Sequence, residues 1–171
     1  LNNYLGLANH PEVRAADAAG SAQYGLALPM GARMMSGNSD LHEQLEAELA
    51  SFENKEDAIL MNYGYQGIMS AIDAICGRHD VVVYDAECHA CIIDGLRMLP
   101  GHRFVFKHND VEDCEKQLHR AQALIEKKQS GGILVITEGV FGMAGDWAQK
   151  ASSDLPENVI PTQIVSQEFG G

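Results

Sequence analysis

Residues 80–95 read D-V-V-V-Y-D-A-E-C-H-A-C-I-I-D-G. Val81, Val82, Val83 and Tyr84 form a short β-branched and aromatic run bounded by aspartates, the composition of a buried strand. Beyond His89 the apolar residues fall at helical spacing as far as Leu99, so a helix follows. A strand that feeds a helix through a short loop, here 86–89, is the repeating unit of a parallel sheet.

The same unit recurs on both sides. D-A-I-L-M (57–61) reads as a short strand, and G-Y-Q-G-I-M-S-A-I-D-A-I-C (64–76) as a helix that starts on glycine. H-R-F-V-F-K-H (102–108) is a strand, and 110–128 a long helix opened by Asp110. G-G-I-L-V-I-T-E-G (131–139) is another buried strand. Upstream, 11–25 reads as a helix ended near Gly25, and 26–39 as a loop broken by Pro29, Gly31 and Gly37. The segment 40–52 is a helix with Leu41, Leu45, Leu49 and Phe52 on one face, and Asp40 with Glu43 fits a capping box. The expected fold class is α/β, a mostly parallel sheet flanked by helices.

Composition excludes several functions. The chain has 171 residues, 46% of them hydrophobic, which suits one sizeable core and not disorder. A net charge of −12 argues against nucleic acid or an anionic membrane surface as partner. No apolar run is long enough for a transmembrane helix, and no leader-like segment opens the chain. Four cysteines are few for a disulfide framework, so a cytoplasmic setting is expected.

Parallel α/β sheets bind ligands at the carboxyl ends of their strands. Three loops lie there: 62–65, 86–89 and 138–142. Asn62-Tyr63-Gly64-Tyr65 ends a strand and opens a helix, where backbone N–H groups suit a phosphate. A glycine easing a tight turn gives the same pattern. His89 starts the next helix and can stack on an aromatic ligand, act as acid or base, or simply satisfy a helix end. Cys88 and Cys91 have C-x-x-C spacing. They could be half of a zinc site, a redox pair, or buried and inert side chains. Neither Cys76 nor Cys114 supplies a second C-x-x-C, so zinc is not expected.

Six blocks, taken in order, carry a resemblance: NNYLGLANHPEV, MGARMMSGNSDLHEQLEAELASF, NYGYQG, GRHDVVVYDAECHACIIDG, FKHND and ITEGVFGMAGD. Together they resemble the α-oxoamine synthases, fold-type I pyridoxal-phosphate enzymes. PMGARMMSG and EGVFGM are most similar to the bacterial serine-palmitoyltransferase-like branch, which makes sphingolipid precursors.

That resemblance implies an acyl-CoA:amino acid C-acyltransferase acting by decarboxylative condensation, with pyridoxal 5'-phosphate (PLP) as cofactor. It implies that His89 is the catalytic residue that stacks on the cofactor ring. Asn62, Gly64, Tyr65, Glu138 and Gly142 then complete the cofactor site, Gly64 and Tyr65 on the phosphate side. Relatives often carry serine where Gly142 stands, and commonly serine where Cys91 stands, which would make the C-x-x-C spacing incidental. Asn2 and Asn3 match a segment near substrate, and the loop 31–37 is similar to one lining the site at a dimer interface. The partners implied are an amino acid, an acyl-CoA, and either a second copy or a full-length relative.

The family also needs a lysine in an S/T-x-x-K context and an aspartate in D-x-x-H. Lys55, Lys107, Lys116, Lys127, Lys128 and Lys150 all lack that context. Residues 1–146 are therefore expected to be part of a PLP-transferase large domain, and 147–171 an unmatched, irregular tail. A fragment inactive alone, a non-catalytic partner subunit, and a small zinc or thiol-redox protein built on Cys88 and Cys91 are the three expectations.

Overall fold

The computed structural model describes residue 3 and residues 5–25, 30–142 and 145–148. The expected tail at 147–171 lies mostly outside them, as do Asn2 and Pro29. The chain forms two units, Leu1–Asn62 and Tyr63–Gly171.

In the first unit, helix α1 (Pro11–Tyr24) starts on proline, whose fixed φ suits a first helical position. It stops at Gly25, whose φ of 66° favours glycine, as expected. The loop before helix α2 (Asp40–Phe52) contains one π turn, Arg33–Gly37. A Cβ on Gly37 would stand 1.9 Å from the Gly31 carbonyl oxygen, so this backbone contact requires glycine.

Arg33 organises the unit. Its Nε and Nη2 donate to Asn38 Oδ1 at 3.0 and 2.9 Å, Nη2 to Glu46 Oε2 at 2.9 Å, and Nη1 to the Leu60 carbonyl at 2.9 Å. The Leu60 N–H donates to Glu46 Oε1 at 2.6 Å. The guanidinium first, and then this N–H, hold the Glu46 carboxyl down at about 2. These bonds explain why 57–61 is not the expected strand: both backbone groups of Leu60 are taken by side chains, and no described strand runs alongside.

One expectation for α2 also fails. The capping box does not form: Ser39 is the N-cap, with its Oγ 2.8 Å from His42 Nδ1. Glu43 accepts instead from Asn38 Nδ2 at 2.9 Å, and Asp40 takes the Tyr24 hydroxyl. Leu41, Leu45, Leu49 and Phe52 share a face, as expected, and that face is exposed, Phe52 by 84%.

The second unit holds the sheet. Strands β1 (Val81–Asp85), β2 (His102–Phe106) and β3 (Ile133–Ile136) are parallel in the order β2-β1-β3, with Val81 opposite His102 on one side and Ile133 on the other. Side chains alternate between two cores. Val82, Leu134 and Ile136 pack with Ile72, Ile92 and Leu96 of helices α3 (Gly64–Ile75) and α4 (Ala90–Met98). Val81, Val83 and Phe106 pack with Cys114, Leu118 and Ala121 of helix α5 (Val111–Lys128). Fully burying each valine contributes about 1.5–3 kcal/mol.

α3 and α4 approach closely at Gly95, where a Cβ would meet Met69 Cα at 3.2 Å. α5 opens as expected, with the Asp110 carboxylate accepting from the Asp113 N–H at 2.9 Å. At the amino edge of the sheet, the Asp80 carboxylate accepts from the N–H groups of Gly77 and Gly132, each at 2.7 Å.

Candidate active site

The chain passes from β1 to β2 on one side and then back across to β3 on the other. The strand order reverses at β1, and the carboxyl ends of β1 and β3 flank the crevice that such a reversal opens. Three loops meet there.

His89 is the N-cap of α4. Its Nδ1 accepts from the Cys91 N–H at 3.2 Å and lies 2.9 Å from Cys91 Sγ. The His89 N–H donates to the buried carboxylate of Glu138, just past β3. Glu138 thus ties the loop after β3 to the start of α4. Tyr65, in the first turn of α3, presents its ring edge-on to His89, with centroids 6.0 Å apart and planes at 73°. The Tyr65 hydroxyl donates to Asp94 of α4, which raises the tyrosine and lowers the aspartate from their ordinary ranges. The expected convergence of 62–65, 86–89 and 138–142 is present in His89, Tyr65 and Glu138.

α3 starts without a side-chain cap. Tyr63 is its N-cap, and the first helical bond runs from the Gly67 N–H to the Tyr63 carbonyl at 2.8 Å. The amides of Gly64, Tyr65 and Gln66 therefore lead an exposed helix end, a geometry that favours an anion through N–H donors and the helix dipole. Asn62 is exposed immediately before this end. Gly142 is exposed in the loop after β3, and an added Cβ there would meet nothing within 4 Å. Asn3 belongs to the first unit, where its Oδ1 accepts from the Ala8 N–H at 3.1 Å in a local turn.

The two cysteines of C-x-x-C differ. Cys88 Sγ is directed at the Ile136 carbonyl, 3.8 Å away. Burial first, and then the Glu138 carboxylate, push its thiol up to about 12. Cys91 faces His89. All four cysteines are buried, and none is in a disulfide. Among the described residues no group of three or more His, Cys, Asp or Glu side chains is placed to hold a metal ion.

A second polar cluster was not foreseen. Buried Asp85 ends β1 and accepts from the Glu87 N–H at 2.8 Å, the Asn109 N–H at 3.0 Å and His108 Nδ1 at 2.9 Å. His108 Nε2 lies 2.6 Å from Asp146 Oδ2. The two carboxylates raise the imidazole to about 9, and His108 in turn lowers Asp146. Phe141 closes over His108 edge-on at 4.4 Å. The Phe141 N–H bonds to the Asp146 carbonyl at 2.9 Å, and Val140 pairs with Trp147, which folds Asp146 back to the sheet. His108 stands in FKHND and Asp146 in GMAGD, but no sequence spacing links either to Asp85.

The family model for aminotransferase class I and II matches residues 1–152. The chain belongs to this family. Within the aminotransferase class I and II family, its relatives are α-oxoamine synthases. It is 58% identical over 146 residues to the cysteate-C-fatty acyltransferase of Capnocytophaga ochracea, a match spanning 85% of this chain and 34% of that protein. It is 40% identical over 173 residues to the 8-amino-7-oxononanoate synthase of Trichlorobacter lovleyi, spanning 99% of this chain and 42% of that one. Among solved structures, it superposes on a serine palmitoyltransferase of S. paucimobilis with a bound PLP–myriocin aldimine. That match has a TM-score of 0.77 and 33% identity, and covers 85% of this chain and 36% of that one. The chain thus spans between about a third and two-fifths of the length of these family members. The expected fold-type I architecture agrees with these matches, as does the resemblance drawn from the six blocks.

Proposed function

We propose that this chain supplies the phosphate-binding helix and the ring-stacking histidine of a PLP-dependent acyl-CoA:amino acid C-acyltransferase of the α-oxoamine synthase type. The observation that carries this reading is the uncapped start of α3 beside His89, joined by the Tyr65 ring and braced by Glu138. The residues present fit the cofactor: exposed amides suit its phosphate, and a half-buried imidazole suits the face of its ring.

PLP supplies the electron sink when bound. The chain's own residues bind and orient. The N–H groups of Gly64 and Tyr65 hold the phosphate, with Asn62 beside them. His89 sets the plane of the ring. Glu138 fixes the His89 backbone, and so the depth of the imidazole, while Gly142 leaves open space in the loop after β3. Asn2 and Asn3 are assigned to the substrate side, and residues 1–146 to the large domain. An amino acid and an acyl-CoA are the proposed substrates, in sphingolipid-type biosynthesis in the cytoplasm. Among the described residues no helix is long and apolar enough to cross a membrane. The exposed apolar face of α2 supports pairing with a second copy or with a lysine-bearing relative.

The test is to titrate the 171-residue chain with PLP and then reduce with borohydride. Saturable binding is expected, weakened about tenfold in His89→Ala, the equivalent of ~1.4 kcal/mol of stacking. Peptide mapping should show scattered labelling, because none of these lysines has the family context. Absence of binding, or equal binding by His89→Ala, removes the site assignment. Stoichiometric labelling of one lysine with acyl-CoA-dependent product formation shows instead that these 171 residues suffice for catalysis.

A further inference from the structure

We propose that Cys91 is a positioning residue for His89. Its backbone N–H and its thiol share Nδ1 as their acceptor, so the tautomer with the ring proton on Nε2 is selected and the ring plane is fixed from one side.

A backbone N–H can only donate, and the Cys91 N–H points at Nδ1 from 3.2 Å. A proton on Nδ1 would face it head-on, so Nδ1 is the acceptor. Cys91 Sγ sits 2.9 Å from the same nitrogen, and a thiol beside an unprotonated imidazole nitrogen is the donor. A neutral imidazole with its acceptor at Nδ1 carries its hydrogen on Nε2. The other side of the loop is held independently, because the His89 N–H is bound to Glu138. Backbone and ring are therefore pinned by different partners.

The choice of cysteine follows from its surroundings. Cys91 is fully buried and belongs to the core cluster of Ile72, Ile92, Leu96 and Ile136. A thiol packs there as a small hydrophobe and still reaches the imidazole. A hydroxyl keeps the donor at some desolvation cost, and a methyl group keeps the packing but loses the donor. Residue 91 can thus be tuned separately for packing and for hydrogen bonding.

Its meaning for the cofactor rests on the reading proposed above: a neutral ring can lie on a protonated pyridine, whereas an imidazolium would be repelled by it. The test needs no cofactor, so its failure is distinguishable from failure of that reading. The 171-residue chain is labelled with 15N-histidine, and two-bond proton–nitrogen spectra report which ring nitrogen of His89 carries hydrogen. Wild type and Cys91→Ser should show one tautomer, protonated at Nε2. Cys91→Ala keeps the backbone donor and therefore the Nε2–H tautomer, but should move the His89 Nδ1 resonance toward that of a less hydrogen-bonded ring nitrogen, while the His108 signals, held by Asp85 and Asp146, stay in place and report an intact fold. Cys114→Ala, on the other face of the sheet, should leave His89 unchanged. Protonation at Nδ1 in wild type overturns the proposal even if Cys91→Ala does not fold. A Cys91→Ala spectrum matching wild type at His89 overturns it as well.

Discussion

His108 sits between Asp85 and Asp146, and its charge decides whether the loops after β1 and β3 attract or repel each other. Its folded value of about 9 lies above the ordinary 6.5, so folding favours the protonated ring. The stabilisation is complete below about pH 6.5 and is lost as pH rises through about 9. Urea midpoints measured across that window should fall for wild type and stay nearly level for His108→Gln. A level wild-type profile would show that the imidazole is not charged in the fold. His89 was legible in the sequence because one loop and one helix start define its place. His108 was not, because its two carboxylates arrive from distant segments and neither has a local signature.

Elements with an internal signal are legible in the sequence: β1, β2, β3 and helices α2 to α5 follow their apolar pattern, and α1 follows its stop at Gly25. The segment 57–61 was misread because strand character lies in pairing, and a local pattern cannot show that Glu46 and Arg33 occupy the backbone of Leu60. Contact between α3 and α4 was equally hidden. Gly95→Val should push Met69 and Ile72 of α3 away from α4 and cost about 1–3 kcal/mol, read as a lowered urea midpoint. Gly142→Ser meets open space and should stay within about 0.5 kcal/mol of wild type. Equal effects of the two would mean that α3 and α4 do not pack through Gly95.

For the whole molecule, the apolar face of α2 sets the expectation. Leu41, Leu45, Leu49 and Phe52 keep 52, 41, 39 and 84% of their surface exposed, more than chance scatter along one helix face. Sedimentation of the chain over the micromolar range should show self-association that Phe52→Asp weakens. A monomer throughout would leave the relative-pairing form, testable by adding the full-length relative. The parallel sheet has a consequence in time as well. β1 lies at its centre, yet its first partner arrives only with His102 and its second only with Ile133. On a ribosome, the run Val81-Val82-Val83 therefore emerges before β2 and β3, its partners among the described residues, and loop-closure entropy delays the ladder further. Until residue 136 is made, this stretch is a hydrophobic, half-finished surface of the sort that chaperones hold.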